Sequence, residues 1–134
     1  MIKGSCLCGR VKYQAEGPIE KVARCHCEQC RKASGSEFAC NGSVAASGFR
    51  VLEGEALLKH YEWSPGEQRV FCSHCGSPLF RRNPNKPDDV RLRLGCLDVE
   101  ISERPTMHVF VNEKPEWSEI ADALPQYGDV RRRP

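Results

Sequence analysis

The chain has 134 residues, 40% of them hydrophobic and 28% charged, with a formal net charge of +2. That composition suits one domain over 1–134, with 128–134 as a frayed tail, and excludes a disordered chain. So small a charge gives no electrostatic case for nucleic acid, and no run approaches the roughly 20 apolar residues of a membrane helix.

Taken in order, Met1–Ser5 lacks the apolar region of a signal peptide, so the expected location is the cytoplasm, where thiols stay reduced. Cys6-Leu7-Cys8-Gly9 falls at a turn, and Arg10 to Ala15 alternates like a strand leaving it. Gly17-Pro18 is a turn, followed by a short strand over Ile19 to Ala23. Residues Glu28 to Ser34 suit one or two helical turns, stopped by Gly35. After Gly42 the chain reads as β. Phe49–Leu52 is a short strand, and Leu57, Lys59, Tyr61 and Trp63 share one face of the next.

Ser64-Pro65-Gly66 is a turn, Arg69–Phe71 enters Cys72-Ser73-His74-Cys75-Gly76, and Leu79–Arg81 leaves it. Asn83 to Pro87 is a loop by its turn chemistry. Val90-Arg91-Leu92-Arg93-Leu94 is apolar at every second position, which predicts a half-buried strand; Met107, Val109 and Val111 repeat the pattern. The tail, with Pro115, Trp117, Pro125 and Tyr127, is expected to wrap the sheet, Trp117 packing into the core. Arg131–Arg133 reads as part of a frayed end. A mostly β domain is the prediction.

Seven of the nine cysteines lie in three close-spaced groups, the third being Cys25-His26-Cys27-Glu28-Gln29-Cys30. In a reducing compartment such clusters point to metal rather than disulfides. Cys6, Cys8, Cys72 and Cys75 form two distant pairs, each at a turn and each followed by glycine. Together they make the four-thiolate tetrahedron of a closed structural zinc site. Gly9 and Gly76 permit φ > 0, so the backbone can curl and aim N–H groups at the sulfurs. Cys25, Cys27 and Cys30 leave three ligands, the count of a zinc site with an open position. His26, His74, Cys40 and Cys96 are the candidates to close it; Cys40 and Cys96 read as core residues and His26 as pointing away. Seven thiolates and two zinc ions would take the formal charge from +2 to −1.

The residues also carry a resemblance. Gly4-Ser5-Cys6-Leu7-Cys8-Gly9, the run from Cys25 to Gly35, and Phe71-Cys72-Ser73-His74-Cys75-Gly76-Ser77-Pro78-Leu79-Phe80 resemble the glutathione-dependent formaldehyde-activating family, which includes the centromere protein V-like proteins. Leu97-Asp98, His108-Val109-Phe110, Pro115-Glu116-Trp117 and Leu124-Pro125 extend the match over nearly the whole chain. The resemblance implies an Mss4-like fold of small antiparallel sheets stapled by zinc. It implies structural zinc ligands at Cys6, Cys8, Cys72 and Cys75, and catalytic ligands at Cys25, Cys27 and Cys30. It further implies condensation of formaldehyde with glutathione to S-hydroxymethylglutathione, a carbon–sulfur lyase activity.

The expected partner is thus a small thiol, glutathione first, with no nucleic acid and no membrane, on a monomer or weak homo-oligomer. A thiol held at the open zinc would lose its proton and attack the electrophile beside it. Glu28, Glu37 and His26 are candidates to move that proton, and Arg24, Arg31 and Lys32 flank the triplet as candidate carboxylate partners. The alternative is a zinc-stapled binding module whose two sites are both structural; an iron–sulfur cluster would colour the protein.

Overall fold

The computed structural model describes residues 1–129, and Arg131–Arg133 lie outside them. Ten strands and one helix follow in order: β1 (Ile2–Ser5), β2 (Lys12–Ala15), β3 (Glu20–Cys25), α1 (Glu28–Ser34), β4 (Ala39–Ala45), β5 (Phe49–Glu53), β6 (Leu58–Ser64), β7 (Glu67–Cys72), β8 (Pro78–Arg82), β9 (Asp89–Arg93) and β10 (Met107–Val109). No helix is long and apolar enough to cross a membrane among the described residues.

The strands form a three-stranded sheet, β1-β2-β5, and a seven-stranded sheet, β10-β3-β4-β9-β8-β7-β6. The protein is mostly β, as the alternation predicts. Among the named strands it departs from purely antiparallel pairing where β10 pairs in parallel with β3, setting His108 opposite Arg24 and Val109 opposite Cys25.

The main core draws on both sheets. Ile2, Val11, Tyr13, Val44, Val70, Phe80 and Leu92 are buried in one cluster. At its centre the Phe49 ring lies 5.6 Å from Tyr13 and 4.9 Å from Phe80, tilted or edge-on as aromatic quadrupoles prefer. A second, smaller cluster gathers Ala23, Cys25, Cys30, Ala39, Met107 and Val109, with Cys27, Phe110 and Tyr127 packed against it. Val22 belongs to the first cluster and Ala23 to the second, as the two-residue period of a strand requires.

Strand β9 corrects a prediction. It is not half-buried: Arg91 and Arg93 are as hidden as Val90 and Leu92. Both its edges are paired, to β4 and β8, and residues on both its faces are buried. Its arginines meet cross-strand polar groups, Arg91 Nη1 donating to Ser43 Oγ at 2.8 Å and Arg93 Nη1 to Asn41 Oδ1 at 2.6 Å.

The C-terminal segment does wrap the sheet. His108 N–H donates to Pro125 O and Tyr127 N–H to His108 O, both at 2.9 Å, and Asn112 N–H donates to Gly128 O. Trp117 does not join the core; it is 70% exposed, beside Arg31, Lys32 and Gly35.

Candidate metal centres

The first thiol set joins two turns of the same build. Gly9 N–H donates to Cys6 O at 3.0 Å between β1 and β2, and Gly76 N–H to Cys72 O at 2.7 Å between β7 and β8. Both glycines sit in the left-handed region, at φ 79° and 80°, where a side chain would be strained. The turns bring Cys6, Cys8, Cys72 and Cys75 together with all Sγ atoms within 4.8 Å of one another. Cys6 and Cys8 Sγ are 3.5 Å apart, and Cys8 and Cys72 Sγ 3.9 Å. Sulfurs bound tetrahedrally at ~2.3 Å from one ion stand ~3.8 Å apart, so this set fits Zn²⁺.

The backbone supplies the outer hydrogen bonds. Val11 N–H donates to Cys6 Sγ at 3.3 Å, and Leu7 N–H to Ser77 Oγ at 2.9 Å, lacing one turn to the other. Ser77 Oγ lies 3.4 Å from Cys75 Sγ. That hydroxyl, with the Ser77 N–H, lowers the Cys75 thiol to about 5. Such contacts favour the thiolate a metal needs.

The second set is Cys25, Cys27 and Cys30, again within 4.8 Å of one another at Sγ. Cys25 ends β3. Cys27 is the N-cap of α1 in extended conformation, its Sγ accepting the Cys30 N–H at 3.3 Å. The helix is closed by Gly35, whose N–H reaches Arg31 O at 2.7 Å, where the sequence predicts its stop. Three buried or half-buried thiols share their protons unevenly. Contacts with Cys27, then Cys30, hold the proton on Cys25. Contacts with Cys25, then Cys27, with Arg93 and Arg69 adding, push Cys30 far below the usual thiol range. Arg69 Nη2 stands 3.8 Å from Cys30 Sγ. Three clustered sulfurs, one of them favoured as the thiolate beside two cations, suit a divalent ion.

The triad meets open space on one side. Cys27 and Cys30 line a pocket of about 220 Å³ together with Gln29, Trp63, Arg69, Arg81, Phe110 and Glu113. The Arg69 guanidinium stacks on Trp63 at 4.2 Å from the ring centroid, and Arg81 lies over the same ring at 5.7 Å. Phe110 takes a left-handed φ of 56° at the pocket's edge, a conformation that costs an aromatic residue energy and recurs at functional sites. Glu113 Oε1 accepts the Glu28 N–H at 3.0 Å.

The candidate closing ligands fall elsewhere. His74 is exposed, Cys40 packs against the main core, and Cys96 Sγ donates to Pro78 O at 3.1 Å. His26 is 1% exposed, and its Nε2 lies 2.8 Å from His108 Nδ1. His108 Nε2 in turn donates to Asp122 at 3.0 Å. Burial, then His108 and Lys114, lowers the His26 pKa to about 4, keeping the ring neutral. The cations flanking the triplet are engaged: Arg24 with Asp122, Arg31 with His26 O and Glu113 O, and Lys32 with Glu28. Of the proton-carrier candidates, Glu28 pairs with Lys32, and Glu37 accepts from Ser118 Oγ at 2.8 Å. Sequence reasoning missed Trp63, Arg69, Arg81, Phe110 and Glu113, which reach the pocket from β6, β7, β8 and the segment after β10.

Comparison with known proteins follows the same lines. The sequence model of the family described as glutathione-dependent formaldehyde-activating enzyme matches residues 1–113. A Halomonas elongata protein named for that activity is 34% identical over 129 residues, covering 90% of this chain and 81% of the relative. An uncharacterized lyase of Schizosaccharomyces pombe is 33% identical over 78 residues, 58% of this chain and 55% of its own length. The crystal structure of a Rhodobacter sphaeroides protein shares the fold at a TM-score of 0.62 and 24% identity, covering 75% of this chain and 91% of that one. With two thiol sets of metal-binding geometry and a family match over most of its length, the chain belongs to the glutathione-dependent formaldehyde-activating enzyme family.

Proposed function

We propose that this chain binds a small thiol, glutathione in the first instance, at Cys25, Cys27 and Cys30 and adds it to formaldehyde or a related small electrophile. In this reading Cys6, Cys8, Cys72 and Cys75 hold a structural zinc, and the triad holds a second one in a single cytoplasmic domain. The supporting observation is the contrast between the sets: four sulfurs surround one centre, whereas three leave it facing a pocket.

Cys25, Cys27 and Cys30 would hold the zinc ion, which would supply the Lewis acidity that lowers the pKa of an incoming thiol while leaving its sulfur nucleophilic. The chain's own groups do the rest. The Cys30 N–H and the Arg69 guanidinium hold negative charge on Cys27 and Cys30. Trp63 and Phe110 give the pocket an apolar wall against which the electrophile is held beside the sulfur. Glu113 is the carboxylate among the lining residues and takes the role assigned from sequence to Glu28, Glu37 or His26. It accepts the thiol proton as the S–C bond forms. The carbonyl π pair moves to oxygen, which Glu113 then protonates, so thiol and aldehyde combine with nothing lost.

The test is a glutathione titration of cobalt-substituted protein, read in the thiolate-to-metal and d–d bands. A saturable change that is absent in Cys27→Ser is expected. Bands fixed up to millimolar glutathione would overturn the proposal and favour a binding module with two closed sites.

A further inference from the structure

The seven-stranded sheet ends on β10 at one side and on β6 at the other. The β10 edge is covered: His108 bridges Gln126, and its backbone bonds to Pro125 O and to the Tyr127 N–H. Among the described residues no strand or loop pairs with the outer edge of β6. That edge runs the 7 residues Leu58–Ser64, and Lys59, His60, Tyr61 and Glu62 along it are all exposed. Tyr61 shows 65% of its surface. An open edge of this length presents unpaired N–H and C=O groups, a template for one more strand.

The residues along the edge select which strand that is. Two copies joined about a two-fold axis normal to the sheet run antiparallel, and residues that oppose each other lie on the same face. The side-chain period of two then allows only registers centred on a residue. Centred on Tyr61, the pairing sets His60 against Glu62 twice, an imidazole N–H donor facing a carboxylate, and Tyr61 against its own copy. Lys59 meets Trp63 at the limit of the ladder, where the register with β7 shifts. One step either way spoils the match: centring on His60 opposes the two His60 rings, and centring on Glu62 opposes the two Glu62 carboxylates. Complementary cross-strand pairs stabilise a ladder and like charges destabilise it. We propose that β6 is a homodimer interface, a second copy of this chain adding its own β6 in the Tyr61-centred register to make one continuous sheet. The dimer also brings the partner's Lys59 to Trp63, a wall of the triad pocket.

One strand edge buries less than the ~1,600 Å² of a standard interface, so half-association is expected near ~0.1–1 mM. Zinc-loaded full-length protein, kept reduced, is followed by sedimentation velocity across that range, with amide hydrogen exchange read residue by residue. The expected result is a sedimentation coefficient that rises with concentration, in step with protection of amides in Leu58–Ser64. Glu62→Lys faces His60 with a lysine, and His60→Glu faces Glu62 with a glutamate, so each alone should weaken association by about tenfold or more. Mixed in equal amounts, the two variants regain both pairs, His60 with Glu62 and Lys with Glu, and should associate again. Wild type that stays monomeric to about 1 mM would overturn the proposal. So would association that leaves the β6 amides unprotected, that neither variant weakens, or that the mixture fails to restore. Should a variant fail to fold, exchange on wild type decides alone.

Discussion

His26 Nε2 lies 2.8 Å from His108 Nδ1 in a site where both rings are almost wholly buried. Asp122 accepts from His108 Nε2, so His108 Nδ1 is the acceptor and His26 Nε2 the donor. The tautomers of both rings are thereby fixed from the surface inward. The His26 N–H also donates to Val109 O at 3.0 Å, so ring and backbone together tie the Cys25–Cys27 loop to β10. His108→Phe leaves the buried His26 ring with neither nitrogen partnered. A loss of about 1–3 kcal/mol is expected in urea unfolding, with Asp122→Asn, which keeps an acceptor, costing less.

The two metal sets answer differently to single substitutions. Cys27→Ser keeps a side chain able to cap α1, so on the proposed assignment it removes a metal ligand while sparing the helix. Metal analysis should fall from two zinc ions per chain to one, with activity lost and the circular dichroism spectrum unchanged. Cys72→Ser removes a fully buried sulfur that joins the two turns. Loss of soluble, cooperatively folding protein is expected there.

Acid should act through His26. Its native pKa is lowered from 6.5 to about 4 by burial, then by His108 and Lys114. Between those values the unfolded chain binds a proton the native chain refuses. Stability is therefore complete above pH 6.5 and declines as pH falls toward 4. Urea midpoints at several pH values, with zinc content followed at each, should show that slope, and His26→Gln should flatten it.

Tyr13 carries the opposite kind of burden. Its hydroxyl is buried among apolar side chains with no partner, and burial raises its pKa. Tyr13→Phe removes an unsatisfied polar atom and keeps the ring packed on Phe49 and Phe80. The thermal midpoint should stay level or rise, by a gain within about 1 kcal/mol; a fall of several degrees would mean that the hydroxyl has a partner in solution.

What was legible in the sequence was local. Glu28–Ser34 and its Gly35 stop, the turn glycines at 9 and 76, and the strands flanking Cys72 and Cys75 follow from neighbours a few residues away. Arg91 and Arg93 were misread because period-two alternation assigns a charged residue to solvent. The groups that bind them, Ser43 and Asn41, lie on another strand 48 and 52 positions off. The pocket residues were hidden for the same reason, since Trp63, Arg69, Arg81 and Glu113 share no sequence window. Trp117 resembled a core anchor by type alone, and its exposure shows that an aromatic residue without a strand around it carries little positional information.

The two thiol sets also differ in when they can exist. Cys25, Cys27 and Cys30 fall within six residues, so closing their loop costs little even in a disordered chain. Cys8 and Cys72 stand 64 positions apart and meet once β1–β2 has docked on β7–β8. On the assignment proposed here, metal reaches the sites on separate clocks. A nascent chain can hold an ion at the triad before it has a tertiary structure, whereas the four-sulfur site is assembled by the fold and then governs how slowly that fold comes apart.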